Sequence, residues 1–151
     1  MGVFGFLGLG REKPRTPAQL VPHVDLERGM VCELGREDTR ETIERRLGTP
    51  TKTDKNGVFY DQIGLQLTVP KAGRVTGWSI FFSPEILPHW TWGVRRASTP
   101  AEADVVALLG PPTKRETDDE EVMLTWERGG LVILVDYALD GALNDVMVDF
   151  E

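Results

Sequence analysis

Leu47-Gly48-Thr49-Pro50-Thr51-Lys52 returns as Leu109-Gly110-Pro111-Pro112-Thr113-Lys114, an offset of 62 residues. The echo continues, with Gly64-Leu65-Gln66-Leu67-Thr68-Val69 answered by Gly130-Leu131-Val132-Ile133-Leu134-Val135. Gly73 followed by Val75, Trp78, Ile80 and Phe82 is answered in turn by Gly141 followed by Leu143, Val146, Val148 and Phe150. Self-similarity on this scale signals one supersecondary unit used twice. It constrains architecture and leaves activity open.

Each copy reads as one helix followed by three strands. In the first, Asp38 stands as N-cap with Glu41 three residues on, Ile43 and Leu47 share a helical face, and Gly48-Thr49-Pro50 ends the run. In the second, Thr99-Pro100-Ala101-Glu102 reads as a capping box, Val105, Val106, Leu108 and Leu109 follow, and Gly110-Pro111-Pro112 stops the helix. Both helices are expected to run about three turns. A polar stretch comes next, Thr51 to Gly57 or Arg115 to Glu121, and then alternating runs divided by turn signals at Gly64, Ala72-Gly73, Gly129-Gly130 and Asp140-Gly141. The expected fold class is α+β: two tandem repeats of helix plus three-stranded antiparallel meander, helices on one face, the sheets either continuing into one curved sheet or packing apart. Residues 37–83 form the first repeat and 99–151 the second, with 84–98 as a crossover and 1–36 as an apolar tail and linker or arm.

Positions apolar in both copies are expected to face the helices. These are Tyr60, Leu65, Leu67, Val69, Val75, Trp78, Ile80 and Phe82, matched by Trp126, Leu131, Ile133, Val135, Leu143, Val146, Val148 and Phe150. Val75 and Leu143 break strict alternation, which predicts bulges near Gly77 and Asp145. The alternate positions then share the opposite face, among them Phe59, Asp61, Phe81, Met123, Glu127, Leu134, Asp136, Asp145, Met147 and Asp149. That face mixes apolar side chains with acids.

With 151 residues, 40% of them hydrophobic, the chain can bury a substantial core. Its formal charge of −7 argues against a nucleic-acid binder, which needs a clustered basic face, and favours a basic protein as partner. Cys32 stands alone, so neither an intramolecular disulfide nor a cysteine-based zinc cluster is expected. Met30-Val31-Cys32-Glu33-Leu34 alternates briefly and can add a strand, while Thr16-Pro17-Ala18-Gln19 offers one helical turn before Pro22. The apolar segment Met1 to Gly10 lacks a basic n-region and a cleavage site and is too short to span a bilayer. A cytoplasmic location is expected, with membrane contact through Phe4, Phe6 and Leu7 as a lesser alternative.

Catalytic signatures fail on inspection. Gly77-Trp78-Ser79 lacks the second glycine of a nucleophile elbow, and the glycines of 5–10 are followed by Arg11-Glu12 where a phosphate-binding loop needs Lys and Ser or Thr. His23 and His89 have no partner at metal-ligand spacing, and no metal or cofactor is expected. Asp118-Asp119-Glu120-Glu121 lacks the oxygen periodicity and central glycine of a calcium loop and reads as a solvated hairpin or loop. Asp136, Asp145 and Asp149 can converge as a carboxylate group, or simply keep an exposed strand surface soluble. Trp90 and Trp92, with His89, Arg95 and Arg96, crowd the crossover; the tryptophans either anchor a partner or plug the seam between repeats.

The helix closing in Leu-Gly-x-Pro, the aromatic strand, the aliphatic strand and the glycine turn resemble the SmpA/OmlA (BamE-like) envelope domains. Tandem copies resemble the beta-lactamase inhibitor protein fold, in which two helix-plus-sheet repeats join into one surface that grips a protein. The residues carrying the likeness are Leu47-Gly48-Thr49-Pro50 with Tyr60, Leu65, Leu67 and Gly73, and Leu109-Gly110-Pro111-Pro112 with Trp126, Leu131, Ile133 and Gly141. The resemblance covers roughly residues 38–151. No cysteine lies near the N-terminus for lipidation, and the paired disulfides of some secreted inhibitors are absent.

The expected function is a non-enzymatic protein-binding module, such as an acidic inhibitor or immunity-type protein. Its partner surface comprises Phe59, Asp61, Phe81, Trp90, Trp92, Met123, Glu127, Asp136, Asp145, Met147 and Asp149. Three alternatives stay open: an envelope or membrane-surface assembly accessory, a small enzyme using carboxylates on the sheet face, and a homodimer formed through that face.

Overall fold

The computed structural model describes residues 21–93 and 99–151. The helical turn at Thr16–Gln19, the apolar segment 1–10 and the arginines Arg95 and Arg96 lie outside the described residues. The expected α+β class is overturned. Strand makes up 42% of the structure and helix 17%. The dominant unit is an eight-stranded antiparallel sheet, with a separate three-stranded sheet that the sequence reading did not contain.

In chain order the elements are β1 (His23–Asp25), β2 (Met30–Val31), α1 (Arg40–Leu47), β3 (Lys52–Thr53), β4 (Gly57–Tyr60), β5 (Leu65–Thr68), β6 (Gly77–Phe81), β7 (Thr91–Trp92), α2 (Glu102–Leu109), β8 (Lys114–Thr117), β9 (Glu121–Arg128), β10 (Leu131–Ala138) and β11 (Leu143–Phe150). The large sheet runs β3-β4-β5-β6-β11-β10-β9-β8, and the small one β2-β1-β7. Each half of the large sheet therefore holds four strands rather than three. The additional strands, β3 and β8, are built from Lys52-Thr53 and Lys114-Arg115-Glu116-Thr117, which are polar, exposed, and carry no inward-facing pattern to betray a strand. They form the two edges, where charged side chains discourage pairing with another chain.

Both helices are two turns long, shorter than the spacing predicted, and both start later. Thr39, not Asp38, caps α1: the Thr39 N–H donates to Thr42 Oγ1 at 2.8 Å and the Thr39 hydroxyl accepts in return from the Thr42 N–H. Asp38 instead accepts from the Gly35 N–H. α2 starts after Ala101, whose N–H donates to Asp104 Oδ2 at 2.9 Å, so the reciprocal acid is Asp104 and not Glu102. The stop signals act as read. Gly48 and Gly110 take φ of 86° and 87°, a backbone region that disfavours side chains, and each N–H closes on the carbonyl four residues back.

The motif following each helix makes the same contacts twice. Tyr60 Oη donates to the Gly48 carbonyl at 2.8 Å, and Trp126 Nε1 donates to the Gly110 carbonyl at 2.9 Å. The Thr51 hydroxyl accepts from the Asp61 N–H and the Thr113 hydroxyl from the Glu127 N–H. The aromatic ring thus ties the strand to the helix end, satisfying a carbonyl that the helix leaves unpaired.

One face of the large sheet is sealed. All sixteen positions read as facing the helices are buried or packed against the core, which also takes Ile43, Leu47, Val105 and Leu109 from the helices. The small sheet completes this layer: β1 pairs antiparallel with β2 and parallel with β7. Its β1–β2 turn docks through the Gly29 carbonyl, which accepts from Trp78 Nε1 at 2.8 Å. A Cβ on Gly29 would press on Leu131 and Val148, so glycine allows the close approach. The predicted bulge beside Asp145 is present: Asp136 pairs with Asp145 but Tyr137 with Leu143, leaving Asn144 unopposed. Among the described residues, no helix is long and apolar enough to cross a membrane.

Candidate functional site

The opposite face of the large sheet carries no described layer, and the register orders its side chains into rows. One row crosses all eight strands: Lys52, Phe59, Gln66, Ser79, Met147, Leu134, Thr125 and Lys114. The next runs Phe81, Asp145, Asp136, Met123, Glu116. A third holds Asp149, Val132 and Glu127. Phe81 is 64% exposed and Met147 40% exposed, and the half-buried Leu134 lies directly opposite Met147.

Phe59, Phe81, Met123, Asp136, Asp145, Met147, Asp149 and Glu127 therefore share this face, as their parity predicts. The ends of the surface differ in character. Phe59 lies under the Lys52 ammonium, 4.5 Å from the ring centroid. Asp61 lies off the strands, in the 3-10 turn Asp61–Ile63 that follows β4. Asp149 lies over Gly77, where a Cβ would collide with its carboxylate.

Trp90 and Trp92 are not part of the surface. They are 4% and 5% exposed, and Trp90 Nε1 donates to the Ile63 carbonyl at 2.9 Å. Phe82 packs edge-on against Trp90 at 6.3 Å and tilted on Trp92 at 5.5 Å. Both rings are buried against Ile63, Phe82 and the small sheet rather than presented as partner anchors. The cost of burying an indole is offset by its apolar area and one satisfied N–H.

Three carboxylates converge where the bulge turns β11. Asp136 and Asp145 are directly opposed, while Glu121, at the start of β9, lies two residues before Met123, the residue opposite Asp136. Asp149 is four residues from Asp145 along β11, in another row, and does not join them. Glu121 closes the acidic run expected to form a solvated hairpin or loop, and the structure places it on β9 instead. Its signal was parity, since it precedes Met123 by two and so points to the same face.

Asp136 is 6% exposed and its Oδ1, sealed from solvent, has no hydrogen-bond partner among the described residues. Burial raises the Asp136 pKa and the charges of Asp145 and Asp118 push the same way, while interaction with the Glu121 carboxyl pulls it partly back. Asp145 is likewise raised by burial and then by the charge of Glu121. Glu121 is raised by its hydrogen bond to Asp136 and by that group's charge. Asp118 is held low instead, because its carboxylate accepts from the Glu120 and Glu121 N–H groups in the β8–β9 turn. None of the three converging acids forms an ion pair among the described residues; Lys114, on the same face, is paired with Glu116, and Arg115, on the helix side, with Glu102.

No group of three or more His, Cys, Asp or Glu side chains among the described residues is arranged to hold a metal ion. His23 Nδ1 lies 3.4 Å from the Thr91 hydroxyl in the small sheet, and His89 is exposed. Cys32 is buried, which raises its thiol pKa. The arrangement offers no poised nucleophile. It offers an apolar band crossed by a carboxylate group.

An antiparallel mostly-β sheet sealed on one face and open on the other is what the fold defines. A solved structure with this likeness is that of a DUF4309 family protein (YjgB) from Bacillus subtilis subsp. subtilis str. 168: TM-score 0.53 at 12% sequence identity, covering 76% of this chain and 80% of that one. At that identity the likeness concerns the fold alone. No family model and no curated protein matches the chain.

Proposed function

We propose that this protein is a non-enzymatic, cytoplasmic protein-binding module whose open sheet face docks a basic protein. The observation that carries the reading is Phe81, 64% exposed, beside Met147, 40% exposed, on strands in the centre of the large sheet. Large apolar side chains in such a position cost solubility unless a partner covers them. The surrounding acids Asp145, Asp149 and Glu127 would steer a basic partner and exclude acidic ones. An acidic inhibitor or immunity-type protein that neutralises a basic toxin or enzyme fits this surface.

The test is capture from the source cell's lysate with the wild type and with a Phe81→Ala/Met147→Ala variant, followed by calorimetric titration of each purified captured protein. A basic protein that titrates to saturation against the wild type, and at least tenfold more weakly against the variant, supports the reading. Capture or affinity indifferent to the double substitution would remove the open face from the function.

A further inference from the structure

The carboxylate group on the open face is short of positive charge. Like charges directly opposed across a strand pair are unfavourable, yet Asp136 and Asp145 are so placed, with Glu121 two residues before Met123, the residue opposite Asp136. Burial makes the shortage acute: Asp136 is 6% exposed and its Oδ1 is unpartnered. A buried carboxylate is ordinarily paired or neutralised, and no described Lys, Arg or His performs that service here.

We propose that Glu121, Asp136 and Asp145 form a subsite for one guanidinium side chain of the basic protein partner. The inference rests on the docking function proposed above and names the chemistry recognised at its centre. Guanidinium suits the place better than ammonium. It is planar and weakly hydrated, it presents donors to two carboxylates at once, and its faces stack on apolar groups. Phe81 and Met123, which flank Asp145 and Asp136 in their row, are the groups available for such stacking. The arginine's gain depends on the acids being ionised, and its charge favours that form.

The experiment titrates the full-length chain with N-acetyl-arginine amide, and in parallel with its neutral isostere N-acetyl-citrulline amide, following backbone amide resonances. The proposal expects saturable shifts centred on Glu121, Asp136 and Asp145 with the arginine compound and none with the citrulline compound. Affinity should fall at least tenfold in Asp136→Asn/Asp145→Asn, a near-isosteric variant whose melting temperature is checked alongside. Shifts that are absent, or that appear equally with citrulline, overturn it. Shifts seen only after Arg11→Gln/Lys13→Gln/Arg15→Gln would show that the chain's own basic stretch fills the subsite, and would overturn assignment to a partner. The docking function fails separately: if Phe81→Ala/Met147→Ala leaves partner affinity intact while arginine still binds the acids, the subsite stands and the docking role of the face falls. Loss of the partner in that variant with no response to arginine amide would do the reverse.

Discussion

Phe81 and Phe82 are adjacent in sequence and face opposite ways, so truncating each in turn measures whether one side of the large sheet is open. Full burial of a phenylalanine side chain is worth about 1.5–3 kcal/mol. Phe81 keeps 64% of its exposure, so roughly a third of that sum, about 0.5–1 kcal/mol, is at stake on folding. Phe82 packs against Trp90 and Trp92 at 6.3 and 5.5 Å, and Phe82→Ala leaves a gap in that cluster costing about 2–4 kcal/mol. In a chain of 151 residues, a destabilisation of 1 kcal/mol lowers the melting temperature by about 2–4 °C. Urea unfolding monitored by tryptophan fluorescence, with scanning calorimetry, gives both numbers, because all four tryptophans are buried and Trp90 and Trp92 lie against Phe82 itself. Phe82→Ala should lose several times more stability than Phe81→Ala, and only Phe81→Ala should weaken partner binding. Equal losses would mean that Phe81 is covered in the folded protein, and the case for an open docking face would collapse.

Asp136→Asn should stabilise the protein at neutral pH. An acid whose folded pKa is raised favours folding below its unfolded value and loses that contribution as pH rises through the folded value; Asp136, Asp145 and Glu121 are all raised, and Asp118 adds like charge. Denaturation curves of wild type and variant should therefore converge near the ordinary carboxylate range and separate above it; parallel curves would refute the assignment. Tyr60→Phe leaves the Gly48 carbonyl without its donor and should cost about 1–2 kcal/mol, with Trp126→Phe costing a similar amount at Gly110, both read by chemical denaturation. Gly110→Ala should cost only the backbone penalty of about 1–2 kcal/mol, because an added Cβ meets nothing within 4 Å. Gly64→Ala, at φ 68° with the Phe81 carbonyl and Ile86 in the way, should cost clearly more in the same measurement.

Legibility followed side-chain pattern. The sixteen core positions shared by the two copies are legible because apolar residues recur with period two in both, whereas buried Val24, Val58, Ile63, Leu124 and Tyr137 fall outside that shared pattern; the glycines that end the helices are legible because positive φ has few other tenants. The edge strands β3 and β8 were not, since strands exposed along their whole length have no alternation to detect. The small sheet was missed for a related reason. His23–Asp25 and Thr91–Trp92 are two or three residues each and pair across the whole first repeat, with His23 and Thr91 68 residues apart, so register is set by tertiary packing on Trp78 and Phe82. Helix starts slipped because several adjacent residues could cap, and packing chose among them. On the open face, parity alone placed Phe81 and Met147 correctly but could not tell that Trp90 and Trp92 turn inward.

The acids on that face show how a sequence conceals a site. Asp136, Asp145 and Asp149 look equivalent in sequence, the last two four apart on one run and Asp136 on the run before, but the bulge at Asn144 sets which pairs meet. With it, Asp145 faces Asp136; shifted by one residue, Asp145 would pass to the core side, where Val146 now sits at 0% exposure. The bulge therefore fixes both the burial of the aliphatic row and the opposition of two carboxylates. Folding gains from the first and bears the second as a penalty. A strand pair that retains such a penalty at a bulge, beside exposed Phe81, is better suited to holding another molecule than to stabilising itself.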